Sequence, residues 1–182
     1  MKVLGDRISI FKKEDVLSIV ILAATDKRKI GLLFLWLFAW TVCGVIVAVN
    51  YFAIQNKDSK LFILIYLSFW AYFEFKIARA FIWKRNGKEK IWIQRGTLHY
   101  QREVNKRGKT NEYLVELTSD FRIIGVSPAN FVDSFNQSFW VKGGERLEFV
   151  SQGKSLRFAM QISDEEARTI FNEMKSFIYK NA

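Results

Sequence analysis

Three ionisable residues sit where charge is costly. In the stretch WAYFEFKIARAFIW, residues 70–83, Glu74, Lys76 and Arg79 interrupt an otherwise apolar run. The chemistry open to them is a proton or ion relay, an ion pair or hydrogen bond with a partner helix, or a contact that hides one carboxyl group inside the chain itself. The other residue types that do chemistry are scarce. His99 is the only histidine and Cys43 the only cysteine, so neither a metal site nor a Ser–His or Cys–His nucleophile has its parts. His99 lies between Leu98 and Tyr100 on an alternating segment and reads as a surface histidine on the wet face of a strand. Cys43, flanked by Thr41 and Gly44 in an apolar run, reads as a small residue packing against another helix. The expectation is no catalytic residue, no metal and no cofactor. A second cationic group, Lys106, Arg107 and Lys109 in NKRGKTN, occupies a turn where it is either simply solvated or a contact for lipid head groups or a partner.

The elements that position these residues follow from hydropathy. Residues 30–54 carry no formal charge, enough at about 1.5 Å per residue to cross a hydrocarbon core of about 30 Å. A short polar link, QNKDSK, leads to residues 61–83, again the length of a span, so the two form an antiparallel transmembrane hairpin. Lys27, Arg28 and Lys29 flank the first span and Lys84, Arg85, Lys88 and Lys90 the second, which by the positive-inside rule puts both termini in the cytoplasm. The opening residues have no apolar core or small-residue cleavage site, and so do not read as a cleavable signal. The net charge of +10 is assigned to orientation and to anionic lipid head groups. Nucleic acid is not an expected partner, because no recognised motif accompanies the basic residues. With a single cysteine no disulfide can form within the chain.

Depth sorts the charged triad. Glu74 falls near the middle of the second span, whereas Lys76 and Arg79 lie two turns and one turn from its cytoplasmic end and can carry their charge out to the head groups. Helical geometry aligns Glu74 with neither cation. An antiparallel first span sets Trp40 and Thr41 at the depth of Glu74, which points to a hydrogen bond from Thr41 to a protonated Glu74. The alternatives are a polar residue of another membrane protein or a second copy, and a relay through an oligomer.

Beyond residue 90 the pattern alternates. IWIQR, TLHYQREV, EYLVEL, FRIIGV, SFWVK, RLEFVS and SLRFAMQI read as seven strands separated by turn residues, SPANFVDSFN among them. SDEEARTIFNEMKSFIYK then switches to helical spacing, with Ser163 and Glu166 as a capping box and an apolar stripe through Ala167, Ile170, Phe171 and Met174. Seven antiparallel strands and one amphipathic helix are the element order of a PH-like barrel. Residues 7–24, rich in β-branched types, read as a β-hairpin beside or extending that sheet, with an interfacial helix over 14–24 as the rival.

LSIVILAATDKRKIGLLFLWLFAW, NGKEKIWIQRGTLHYQRE and GKSLRFAMQISDEEARTIFNEM give the chain the layout of the bacterial PH-like membrane proteins, which it resembles over most of its length. The resemblance implies a helical hairpin preceding a PH-like domain and carries no assigned activity. The fold class expected is therefore an α+β membrane protein: a cytoplasmic extended segment over 1–29, a two-helix transmembrane hairpin over 30–83 (30–54 and 61–83), and a seven-stranded PH-like barrel with a C-terminal capping helix over 84–182. The function expected is a non-enzymatic interaction or assembly module of a complex in the cytoplasmic membrane. Its partners would be anionic lipids and a membrane protein or a second copy. A small channel or transporter subunit using Glu74, and a membrane-anchored head-group sensor, are the alternatives.

Overall fold

Period-two alternation forms the first strands. In the computed structural model, which describes residues 2–24, 26–125, 130 and 138–181, β1 (Lys2–Leu4) precedes β2 (Ile8–Lys12) and β3 (Val16–Leu22). Ile8 and Ile10 of β2 and Leu17, Ile19 and Ile21 of β3 are all buried. Such i, i+2 spacing puts every apolar side chain on one face of a strand and would scatter them around a helix. The interfacial helix over 14–24 accordingly does not form.

β3 does not stop at a local hairpin. It pairs antiparallel with β4 (Gly87–Gln94), from Val16 opposite Gln94 to Leu22 opposite Lys88, and β4 continues into β5 (Thr97–Val104) and β6 (Thr110–Leu114). The result is a six-stranded sheet in simple chain order, β1 to β6. A separate three-stranded sheet holds β7 (Thr118–Ile123), β8 (Glu145–Ser151) and β9 (Lys154–Met160). The described residues thus carry nine strands in two sheets, where the sequence predicts one seven-stranded barrel. Six of the nine follow residue 86. The fifth of the seven expected strands, SFWVK at 138–142, is turns and bends. Two of its carbonyls are taken by a side chain: the Gln161 amide donates to Ser138 O at 2.8 Å and to Val141 O at 3.2 Å. Of SPANFVDSFN only Asn130 is described, so that expected turn lies outside the described residues.

Two helices, α1 (Lys27–Asn50) and α2 (Lys57–Asn86), are inserted between the paired strands β3 and β4. Asp26 caps α1, its carboxylate accepting from the Arg28 and Lys29 amides, and Asn56 does the same for Asp58 and Ser59 at the start of α2. The chain divides into two compact units, Asp26–Ile82 and the sheet unit formed by Met1–Thr25 with Trp83–Ala182. The last turn of α2 therefore belongs to the sheet unit.

The core of the sheet unit joins both sheets to α3 (Asp164–Asn181). The helix starts on the expected capping box: the Ser163 amide donates to Glu166 Oε2 at 2.7 Å, and the Glu166 amide to Ser163 Oγ at 3.1 Å. Its stripe of Ala167, Ile170, Met174 and Phe177 is buried, with Phe171 stacked on Phe121 at 4.9 Å. Phe149 and Phe158, both buried, pack edge to face from neighbouring strands.

One buried carboxylate sets an acid limit on this unit. Glu148 on β8 meets Arg122 at 2.7 Å, Arg157 at 3.1 Å and the Ser155 hydroxyl, and these hydrogen bonds hold it down to about 2 from 4.5. A depressed carboxylate contributes stability that is complete above its unfolded value and is lost as pH falls towards its folded one. Thermal unfolding of the sheet unit is therefore expected to be flat above about pH 5 and to weaken between 4.5 and 2, and Glu148→Gln to flatten that decline. A melting profile across pH checks both.

Candidate functional site

The seam between α1 and α2 is built from small and aromatic residues at helical spacing. Leu33 and Ala80 are fully buried, the rings of Phe34 and Phe81 lie 5.7 Å apart, and further along Gly44 sits against the Trp70 indole. A Cβ on Gly44 would fall within the indole itself. The Trp70 Nε1–H donates to the Trp40 carbonyl at 3.2 Å. Between these contacts the Thr41 hydroxyl lies 2.6 Å from Glu74 Oε1 and 2.8 Å from the Leu37 carbonyl of its own helix. The structure thus brings Thr41 and Glu74 together, with the carboxyl turned into the hairpin. Glu74 Oε2 and Trp40 Nε1 are both buried and find no hydrogen-bond partner among the described residues.

Lys76 and Arg79 point elsewhere. Each is exposed and lies over an aromatic ring one turn back on its own helix, Lys76 over Tyr72 at 5.4 Å and Arg79 over Phe75 at 5.3 Å. Neither pairs with Glu74. Cys43 is exposed too, contrary to the expected packing role: the seam of α1 runs through residues 37, 40, 41 and 44, and position 43 falls off that stripe by about 100° of helical rotation.

The second group lies at one end of the six-stranded sheet. Val104 is opposite Gly87, and Leu22 is opposite Lys88. The turn after Val104 is thus at the sheet end where the chain leaves for the hairpin and returns. That turn carries Lys106, Arg107 and Lys109, all exposed. It is closed by reciprocal backbone bonds between Val104 and Arg107 at 2.8 and 2.9 Å, with Gln101 donating to Gly108 O at 2.8 Å. Asn105 and Lys106 are left-handed, at φ 51° and 64°. Lys88 and Lys90 both reach Glu103 on the neighbouring strand, Lys88 at 3.0 Å, and hold its carboxyl below its usual range. Lys109 also lines a cleft of about 610 Å³ with Arg102, Asn111, Ser155 and Arg157.

Beneath that end is a buried ionic cluster that the sequence reading missed. Glu89 on β4 is 1% exposed. It accepts from the Tyr100 hydroxyl at 2.6 Å, Arg102 Nε at 3.1 Å and the Met160 amide at 3.0 Å. Arg102 goes on to Glu145 at 2.9 Å and to the Arg157 carbonyl at 3.0 Å. Arg7 donates to the carbonyls of Leu22, Gln161 and Met160 at 3.0, 3.0 and 3.3 Å. Burial and the neighbouring Glu89 carboxylate push the Tyr100 hydroxyl well above its ordinary value, so it stays a donor. The two sheets share no backbone ladder here, and these side chains do the joining. At the end of β9 and just beyond it the backbone is left-handed, with Ala159 at φ 62° and Gln161 at φ 52°. A signal existed: Glu89 is in phase with Ile91 and Ile93, and Arg102 with Tyr100 and Leu98.

His99 is on the outer face, stacked on Trp92 at 4.9 Å and 3.5 Å from Glu112. Among the described residues no three His, Cys, Asp or Glu side chains converge to hold a metal ion. A cavity of about 770 Å³ opens at the other end of the sheet, between the turns at 13–15 and 94–96 and the C-terminal part of α3. Compared with protein families, curated proteins and solved structures, the chain gives no match.

Proposed function

We propose that the chain is a multi-pass protein of the cytoplasmic membrane, a non-enzymatic interaction or assembly module with a transmembrane hairpin and a PH-like sheet domain on its cytoplasmic side. The observation that carries the reading is the outer surface of α1 and α2. Both are long and apolar enough to cross a membrane, and their large side chains, from Leu32, Phe34 and Leu35 to Phe73, Phe75 and Ile82, stand exposed around each helix rather than buried along one stripe. Water does not tolerate such a surface, and lipid does.

Insertion between adjacent strands supports placing both termini on one side, since the outgoing and returning chains start a strand spacing apart. Lys27, Arg28, Lys29 and Arg85, all exposed, support the cytoplasm as that side. The turn with Lys106, Arg107 and Lys109 is the proposed contact for anionic head groups. The hairpin, with Lys76 and Arg79 on its outside, is the proposed contact for a membrane protein or a second copy.

Purification of the full chain in mild detergents, with identification of what accompanies it, tests the assembly role. A lone monomer in every detergent would overturn it. The inward carboxyl supports Glu74 as a clasp of the hairpin over a lining of a path. Glu74→Gln keeps an acceptor for Thr41 and is expected to leave assembly unchanged, while Glu74→Ala and Thr41→Val each weaken the hairpin by about 1 kcal/mol, read as a lower resistance to denaturing detergent. An ion-flux defect in Glu74→Gln with assembly intact would favour the channel reading instead.

A further inference from the structure

We infer that residues 138–142 form a third membrane contact, an interfacial anchor in which Trp140 enters the head-group layer of an anionic bilayer. The inference rests on the membrane reading above and adds an element outside the two helices. Trp140 is 44% exposed, in a segment of turns whose sequence, SFWVK, combines aromatic, aliphatic and cationic side chains. That combination suits the boundary between lipid and water, where an indole buries its ring and keeps its N–H wet.

Position supports the lipid as the occupant. The segment is fastened to the last turn of α2 at Trp83 and Lys84, where the apolar run ends. Lys142 Nζ lies 4.4 Å from the centre of the Trp83 ring, and Lys84 Nζ lies 4.9 Å from that of Phe139. On its other side Gln161 holds the Ser138 and Val141 carbonyls, and Lys84 also bonds the Gln161 side chain. A chain whose span ends at Trp83 can carry its next residues only a few ångström away, at about 1.5 Å per residue. Phe139 and Lys142, on either side of Trp140, are thereby held by contacts within the sheet unit beside the residues where α2 enters it. Exposed Lys142 and Arg85 match an anionic surface.

The test uses the full chain in nanodiscs of phosphatidylglycerol and phosphatidylcholine containing nitroxide lipids, with an environment-sensitive fluorophore on one cysteine at a time. Native Cys43 reports the hairpin, and in a Cys43→Ser background Trp140→Cys reports the anchor and Glu14→Cys the opposite end of the sheet. A nitroxide near the head group is expected to quench the label at 140 at least about twofold more than the label at 14, while a deep nitroxide quenches the label at Cys43. The native side chain is read separately, as the loss of lipid-dependent quenching of intrinsic fluorescence in Trp140→Phe. Equal quenching at 140 and 14 with Cys43 still quenched overturns the anchor and leaves the hairpin reading standing. An unquenched Cys43 overturns both.

Discussion

Replacing Glu89 with alanine is expected to be among the most damaging single changes in the sheet unit. The carboxylate is the shared acceptor for Tyr100, Arg102 and the Met160 amide, so its removal takes the acceptor from a hydroxyl and a backbone N–H and leaves Arg102 Nε only the Tyr100 oxygen. Removing one partner of a buried ion pair costs about 3–5 kcal/mol, and the lower end is expected here because Arg102 keeps Glu145 as a second counter-charge. For a unit of this size that is a fall in melting temperature on the order of 10 °C. Glu89→Gln keeps an acceptor for Met160 and loses the charge, and is expected to fall between wild type and alanine. The loss should concentrate where the two sheets meet without a backbone ladder, and hydrogen exchange at the Met160 amide resolves it from general loosening. A melting temperature unchanged in Glu89→Ala would mean that the cluster is idle.

How far the sequence discloses this arrangement depends on whether the deciding interaction is local. The alternation in β3, β4 and β9, the capping box at Ser163 and Glu166, and the apolar stripe of α3 are all local, and each is visible in a window of a dozen residues. The depth of Thr41 against Glu74 is also legible, because helical rise and a short link between α1 and α2 fix an antiparallel register. Pairing of β3 with β4 is not, since the whole hairpin separates Leu22 from Lys88 and the pattern of either strand is compatible with several neighbours. The same limit applies to Glu89. Its phase with Ile91 and Ile93 places it inward, which looks like a conflict until Arg102 arrives in phase on the next strand and Met160 from the other sheet. SFWVK has strand composition, but a distant glutamine claims two of its carbonyls. At Cys43 rotation decides, since the adjacent Gly44, not Cys43, occupies the seam.

Gly87→Ala is expected to disrupt the joint at which α2 becomes β4. The constraint is space rather than backbone freedom. A Cβ at position 87 would collide with the carbonyl oxygen of Trp83 and with the Trp83 ring, and the backbone carbonyl cannot swing aside without unwinding the last turn of the helix. Trp83 is itself buried, packed with Ala23 and Met160, and the Gly87 carbonyl accepts from the Ala23 amide at 3.0 Å. Relieving the clash therefore disturbs the start of β4 and the end of β3 together. A cost of about 3 kcal/mol is expected, the upper part of the range for overpacking, with Gly87→Val worse. The joint double variant Trp83→Ala, Gly87→Ala separates the two collisions. It removes the ring from the path of the new methyl and leaves the carbonyl in it, so the loss at Gly87 should shrink without vanishing. Faster exchange of the Ala23 amide in Gly87→Ala, with the Thr41 and Glu74 seam unaffected, would locate the damage at this joint. Unchanged exchange there would show that the helix end can yield, and that α2 reaches the sheet through a softer turn than its contacts indicate.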